Sequence, residues 1–218
     1  MARSSTARPR WQRRPAARPD EILDAAFEVF GEEGFARTKL DDVARRAGVS
    51  KGTLYLYFDS KDALFREMVR AKIIPCVVQG EELVRTFDGP PRDLLVAVIR
   101  RMWSVVRSAE VARIGRLVQF ELGSFPELGR FYFDEVIART RRLIQTAIDR
   151  GVASGDFRRV PHQFATRAVS SLLVHSAQQQ CFFAALDPAP LSDEQVLNGV
   201  IDIVLNGVLA RPASRSRE

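Results

Sequence analysis

The chain has 218 residues, of which 46% are hydrophobic and 28% are charged. This length suffices for one or two domains with an apolar core, and the balance is typical of a globular protein. No apolar run approaches the roughly 18 residues of a membrane span, and no signal-peptide core follows Arg13 and Arg14. We therefore expect a cytoplasmic protein that does not interact with membranes.

The net charge of +6 is concentrated at the start of the chain. Residues 1–19 contain six arginines and no acidic residue, whereas the formal charges of the remaining residues sum to zero. A basic, proline-containing segment is suited to a polyanion such as DNA, although it could also be a solubilising leader. We expect a disordered basic arm over residues 1–18 and a disordered tail over residues 211–218.

The sequence offers little support for catalysis, a metal or a cofactor. Cys76 and Cys181 form no disulfide framework, so we interpret them as small apolar fillers, with a redox pair as the alternative. His162 and His175 lack metal-ligand spacing. No nucleophile elbow, Gly-rich phosphate loop or HExxH motif is present. We predict that the protein is not an enzyme and has no cofactor.

Two helices are predicted at the start of the chain. Pro19 and the acids after it open a helix over 19–33, which Gly34 ends in a left-handed conformation. The sequence TKLD at residues 38–41 fits a capping box, so Thr38 is expected to cap a second helix that ends near Ala47.

The next ten residues complete a helix-turn-helix pattern. Gly48 is expected to supply the positive φ of a tight turn, and Ser50 to cap a third helix over 51–58. Ala44 lets the two helices cross closely, and Leu54 anchors the third helix in the core. Two short helices around a glycine turn indicate a DNA-binding unit.

The segment 22–69, which contains ILDAAFEVFGEEGFARTKLDDVARRAGVSKGTLYLYFDSKDALF, resembles the N-terminal domain of the TetR/AcrR family of transcriptional regulators. The resemblance runs without a gap. It implies DNA contacts from the first turn of the third helix and from the tyrosine-rich stretch before Phe58. This chain departs from the family at Leu56, where a second aromatic is common, and at Tyr57, where a histidine often stands.

Spacing and resemblance together select the candidate DNA-binding residues. Residues 50–53 form the exposed polar first turn of the third helix. Tyr55 and Tyr57 offer hydroxyls to phosphates. The N-termini of the second and fourth helices, near Thr38 and Lys61, are expected to attract phosphates as well. Leu56 is set aside, and Tyr55 could be partly core. The predicted contacts are Thr38, Ser50, Lys51, Gly52, Thr53, Tyr55, Tyr57 and Lys61.

Beyond residue 60 the pattern stays helical. Helices are predicted over 61–87 with a kink at Pro75, and over about 109–123, 126–150, 161–185 and 192–210, with a loop over 151–157. A further helix is predicted after Pro90 and Pro91, with a buried stripe of Leu94, Leu95, Val98, Met102, Val105 and Val106. The fold class is therefore all-α with about nine helices. A helix-turn-helix domain over 19–74 precedes a helical ligand-binding and dimerisation domain over 75–210.

The C-terminal part resembles TetR-family effector domains more loosely, through FELGSFPELGRFYFDEV and RGVASGDFR. The resemblance implies a homodimer through the last two helices, about 161–210, and a small apolar or amphipathic effector. The alternative for these helices is an intramolecular core. The candidate ligand-binding residues are Trp103, Phe120, His175, Gln178 and Gln179, each of which could instead be structural.

These features predict a sequence-specific DNA-binding transcriptional regulator. The leading hypothesis is a homodimeric repressor that a small-molecule effector releases from an inverted-repeat operator. A ligand-independent or activating DNA-binding regulator is the alternative, and a small-molecule enzyme is the hypothesis from another class.

Overall fold

The computed structural model describes residues 18–183 and 185–209, and most of these residues are helical. The helices are α1 (Arg18–Glu33), α2 (Leu40–Arg46), α3 (Lys51–Tyr55), α4 (Lys61–Lys72), α5 (Ile74–Thr86), α6 (Pro91–Val106), α7 (Ala109–Phe120), α8 (Pro126–Tyr132), α9 (Ala138–Ser154), α10 (His162–Phe182) and α11 (Asp193–Val208). The predicted arm and tail lie outside these residues, apart from Arg18.

Two pairs of helices continue one another. A π-helical turn, Phe133–Ile137, joins α8 to α9, and α5 follows α4 after Ile73 alone. If each pair is counted as one helix, the described part of the chain has nine helices, as predicted. The predicted all-α fold is confirmed. The break between α4 and α5 precedes Pro75, which occupies the first turn of α5, where its missing N–H costs no helical hydrogen bond.

A first apolar core holds the helix-turn-helix. The rings of Phe30, Phe35 and Phe65 lie pairwise 5.6 Å apart between centroids, and all three are fully buried. This core does not end at Pro75. It continues through Ile114 on α7 and Leu128 on α8, so the DNA-binding helices and part of the second half of the chain share one core.

A second core lies between α6, α9, α10 and α11. Ile99, Ile144 and Leu173 are fully buried in it, and the N-terminus of α11 is closed by a capping box between Ser192 and Gln195. Packing therefore groups α7 and α8 with the DNA-binding helices, and the domain boundary at residue 75 stays a prediction.

Several predicted helix boundaries are wrong. Helix α2 begins at Leu40 and its N-cap residue, Lys39, makes no side-chain cap, so Thr38 does not cap this helix. Helix α3 ends at Tyr55 and α7 at Phe120, where a 3₁₀ turn, Leu122–Ser124, follows. Helix α9 runs to Ser154 and stops at Gly155, whose φ is +84°. A predicted loop over 151–154 is thus helical.

Candidate nucleic-acid interface

Helices α2 and α3 meet at a tight turn as the sequence predicts. Gly48 has a φ of +65°, which side chains rarely tolerate. Ala44 and Leu54 are buried in the first core, and Val49 bridges the two helices with a backbone hydrogen bond to the Ala44 carbonyl at 2.9 Å. These contacts fix α3 so that its opposite face remains exposed.

The first turn of α3 presents a preorganised polar surface. Ser50 caps the helix, since its hydroxyl accepts a hydrogen bond from the Thr53 amide at 3.1 Å. The two hydroxyl oxygens of Ser50 and Thr53 lie 2.8 Å apart. Lys51 and Gly52 are exposed, and a Cβ built on Gly52 would come no closer than 3.9 Å to another residue. Packing within the chain therefore does not require glycine here.

The ammonium of Lys51 is paired within the protein. Its Nζ lies 2.8 Å from a carboxylate oxygen of Asp41 on α2 and 6.0 Å from the centroid of the Tyr55 ring. The hydrogen bond to Asp41 raises the pKa of Lys51 above its ordinary value. Both side chains are exposed, so the pair can exchange with another anion.

Residues 55–57, at the end of α3 and directly after it, are exposed, and residue 58 is buried. Tyr55 and Tyr57 are both exposed, so Tyr55 does not belong to the core, while Phe58 is buried. Leu56, which the sequence argument set aside, is 83% exposed. Its position between Tyr55 and Tyr57, two predicted DNA contacts, is the signal that could have selected it.

Lys61 and Thr38 have structural roles that sequence reasoning missed. The Lys61 ammonium donates to the carbonyl oxygens of Phe35, Ala36 and Thr38 at 2.6, 3.2 and 3.1 Å, and it lies 4.5 Å from the centroid of the Phe35 ring. Because all three N–H donors are engaged, Lys61 is poorly placed to bind phosphate. Thr38 is buried and its hydroxyl donates to the Gly34 carbonyl at 2.6 Å.

The loop between α1 and α2 is also tied to the second half of the chain. The amide of Ala36 donates to the Glu121 carboxylate at 3.0 Å, and the rings of Phe35 and Phe125 lie 4.7 Å apart between centroids. The segment after α7 therefore contacts the DNA-binding domain directly, at a point separate from α4.

Of the five candidate ligand-binding residues, His175 and Gln179 contact each other, and the other three have different neighbours. Trp103 is buried in the second core, whereas Phe120 is 71% exposed at the end of α7. His175 is exposed, and its ring Nε2 lies 3.1 Å from the side-chain nitrogen of Gln179. Gln178 donates to Gln119 on α7. The structure therefore does not place all five of these residues around one cavity.

Two clefts open elsewhere, on either side of Arg130. One, of about 400 Å³, is the groove formed by Leu122, Gly123, Pro126, Gly129, Arg130 and Phe133. The other, of about 570 Å³, is lined by Arg66, Pro126, Glu127, Arg130, Phe131, Asp134 and Glu135. The sequence did not predict either cleft, because both depend on how the 3₁₀ turn and α4 pack against α8.

Helices α10 and α11 carry exposed apolar side chains. Phe164 and Val174 are exposed on α10, and Ile203 is 65% exposed on α11. Gly199 and Gly207 lie one turn before and after Ile203, and a Cβ built on either would meet nothing within 4 Å. Among the described residues, no helix is both long and apolar enough to cross a membrane.

Helix α3 is anchored in the first core, and its first turn is polar and exposed. Two short helices around a tight turn, with such a second helix, define a helix-turn-helix DNA-binding regulator. Two family models match the chain: bacterial regulatory proteins of the tetR family over residues 22–68, and the C-terminal domain of AefR-like transcriptional repressors over residues 93–207. The chain belongs to the TetR family of bacterial transcriptional regulators, and the predicted resemblance is confirmed.

Relatives and solved structures agree with this assignment. The chain is 26% identical over 138 residues to the fatty acid metabolism regulator protein of Bacillus subtilis (strain 168), covering 63% of this chain and 70% of the relative. It is 29% identical over 145 residues to the HTH-type transcriptional repressor KstR2 of Rhodococcus jostii (strain RHA1), covering 66% and 69%. The crystal structure of Bacillus subtilis FadR in complex with stearoyl-CoA has the same fold, with a TM-score of 0.71, 21% identity, and coverage of 86% and 98%.

Proposed function

We propose that this regulator is a homodimeric repressor that binds an inverted-repeat operator and leaves it when a small amphipathic effector binds. The observation that carries the proposal is the exposed first turn of α3, with Ser50, Lys51, Gly52 and Thr53 held on a rigid scaffold. Hydroxyls, an ammonium and a side-chain-free backbone are the groups that reach base edges and phosphates in a major groove. The family assignment supports this use of the surface.

Contacts by individual residues follow from their positions. Lys51 exchanges its Asp41 partner for a phosphate or a guanine edge, and Gly52 lets the DNA backbone approach. The hydroxyls of Tyr55 and Tyr57 donate to phosphates. Leu56 joins this set, because an exposed leucine can pack against a thymine methyl group or a deoxyribose.

The burial of Thr38 and the three carbonyl contacts of Lys61 argue against direct DNA contacts from these two side chains. They support the interface by fixing the loop before α2. The basic arm over residues 1–18 adds attraction to the DNA backbone that depends on salt.

Dimerisation through α10 and α11 is supported by two observations. Ile203 and Phe164 expose apolar area that a second copy would bury. Glycine within a helix costs about 1 kcal/mol relative to alanine, and no contact among the described residues requires Gly199 or Gly207. A partner helix approaching closely would explain both glycines. Two copies also provide two recognition helices for the two half-sites of an inverted repeat.

An effector is supported by the relatives. The solved Bacillus subtilis FadR structure contains stearoyl-CoA. The Bacillus subtilis relative is named a fatty acid metabolism regulator protein. We transfer to this chain only the class of the effector, a small amphipathic molecule. Binding would alter the packing between the two halves of the chain and so the spacing of the two recognition helices.

The proposal is tested by selecting genomic DNA fragments with the full-length protein and sequencing those retained. We expect enrichment of one or a few sites that contain an inverted repeat with half-sites about one or two helical turns apart. Repeating the selection with Lys51→Ala should abolish the enrichment, while Lys72→Ala, a lysine of α4 paired with Asp24, should preserve it. Retention of fragments without a shared motif would contradict the proposal.

A further inference from the structure

Arg141 occupies an unusual position on α9. It lies three and seven residues before Ile144 and Ile148, which are fully buried, so it shares the inward-facing side of the helix. Along the helix it falls between Val136, which packs in the first core, and Ile144, which packs in the second. Arg141 is half-buried at the boundary between the two cores.

The guanidinium of Arg141 lacks an anionic partner within the described part of the chain. Its Nε is buried and has no hydrogen-bond acceptor there. Arg139, two residues earlier and also half-buried, pairs with Glu81 at 2.7 Å and with Glu135 at 3.3 Å. Because buried charged donors are normally satisfied, an unpaired Arg141 beside a fully paired Arg139 requires an explanation.

The π-helical turn aligns Arg141 with Phe133, which lines the groove. In a regular α-helix, residues eight apart differ in direction by about 80°. The π turn that starts at Phe133 absorbs one residue, so Phe133 and Arg141 behave like residues seven apart, about 20° from alignment. The guanidinium carbon accordingly lies 5.8 Å from the centroid of the Phe133 ring, and Phe133 is 41% exposed and lines the groove.

The groove suits a hydrocarbon chain more than a polar molecule. Leu122, Pro126 and Phe133 contribute apolar side chains, Gly123 has open space beside it, and Arg130 lies on the edge shared with the second cleft. That second cleft also contains Glu127, Asp134 and Glu135, so an anionic head group beside Arg130 would face three carboxylates. Arg141 is the better partner for an anion.

We propose that Arg141 anchors the anionic head of an amphipathic ligand whose hydrocarbon chain lies along the groove over Phe133. A carboxylate or a phosphate group satisfies the chemistry, because both accept two parallel hydrogen bonds from a guanidinium. The inference rests on the proposed function and names the class of its effector. Leu122 lies between Glu121 and Phe125, which contact the loop before α2, so an occupied groove adjoins the link to the DNA-binding domain.

The test measures binding of laurate, lauroyl-CoA and the neutral analogue dodecanol to the full-length protein by calorimetry. Three variants are compared with the wild type: Arg141→Met, Phe133→Ser, and the matched control Arg142→Met, which removes an exposed neighbouring arginine. We expect at least one anionic probe to bind tenfold or more tightly than dodecanol. Arg141→Met should abolish this preference, Arg142→Met should leave it within twofold, and Phe133→Ser should weaken all binding.

Dependence on Arg141 for laurate identifies a carboxylate that adjoins the hydrocarbon chain. Dependence for lauroyl-CoA alone identifies a phosphate that the pantetheine arm separates from that chain. Equal binding by the wild type and Arg141→Met, equal losses in both arginine variants, or no preference for an anion would overturn the inference. Operator binding without any probe is measured on the same samples. If the wild type binds the operator but the ligand measurements give one of these contrary results, only this ligand site is rejected. If the wild type does not bind the operator, the proposed function is rejected.

Discussion

Asp41 and Lys51 form an ion pair across the turn between α2 and α3, on the surface proposed to face DNA. A phosphate must therefore compete with a carboxylate for the same ammonium. This arrangement orients Lys51 before DNA arrives and weakens nonspecific attraction. The raised pKa of Lys51 means that its charge is retained throughout the physiological pH range, so pH does not control the contact.

Asp41→Asn is expected to tighten operator binding several-fold by releasing Lys51. The slope of log affinity against log salt concentration should steepen by up to about 0.9 if one phosphate contact is gained. The control is Asp42→Asn, which removes the same charge from the same helix turn but breaks only a pair with Arg45. Fluorescence anisotropy over a salt series measures both, and equal effects of the two substitutions would contradict the role given to Asp41.

Lys61 shows why some individual roles could not be predicted. The local signals near it, the Ser60 cap and the start of α4, were predicted and are present. Its partners lie 23 to 26 residues earlier in the chain, so spacing carried no information about them. Gly34, Gly48 and Ser50 were predicted well because their roles depend on adjacent residues alone.

Lys61→Met is expected to lower the free energy of unfolding by about 1–3 kcal/mol, because three carbonyls lose a charged donor. Lys39→Met, at an exposed position next to the same loop, should change it by less than about 0.5 kcal/mol. Chemical denaturation monitored by circular dichroism decides between them. A Lys61 variant as stable as the Lys39 variant would show that the three hydrogen bonds do not stabilise the loop.

At the scale of the helices, apolar periodicity predicted which segments are helical but not where the backbone departs from α-helical geometry. The π turn after α8 and the 3₁₀ turn after α7 have no period of their own in the sequence. Both lie in the region that forms the groove. The candidate ligand residues were selected from side-chain type on α6, α7 and α10, and their helices turn them toward different neighbours.

The segment after α7 is expected to hold the loop between α1 and α2. Glu121→Ala removes the acceptor for the Ala36 amide, and exchange of that amide with deuterium should accelerate at least tenfold. The unfolding free energy should fall by about 1 kcal/mol. Glu127→Ala, at an exposed site on α8, serves as the control. Unchanged exchange at Ala36 would contradict a direct link between the two halves of the chain at this point.

At the scale of the whole molecule, α11 is expected to form part of the dimer interface. Ile203→Glu would bury a charge against the partner, so the dimer should dissociate at least tenfold more readily. Val78→Glu introduces the same charge at an exposed apolar position on α5 and should leave the dimer intact. Light scattering over a concentration series measures the mass. A monomer–dimer equilibrium unaffected by Ile203→Glu would place the interface elsewhere.

Operator binding by the first turn of α3 predicts a specific loss of affinity when Lys51 is replaced by alanine. Anisotropy at fixed salt should show a loss of about tenfold or more, corresponding to about 1–3 kcal/mol for one base contact. Lys72→Ala, a change of the same charge on α4, should bind like the wild type. Equal affinity of Lys51→Ala and the wild type would contradict the account.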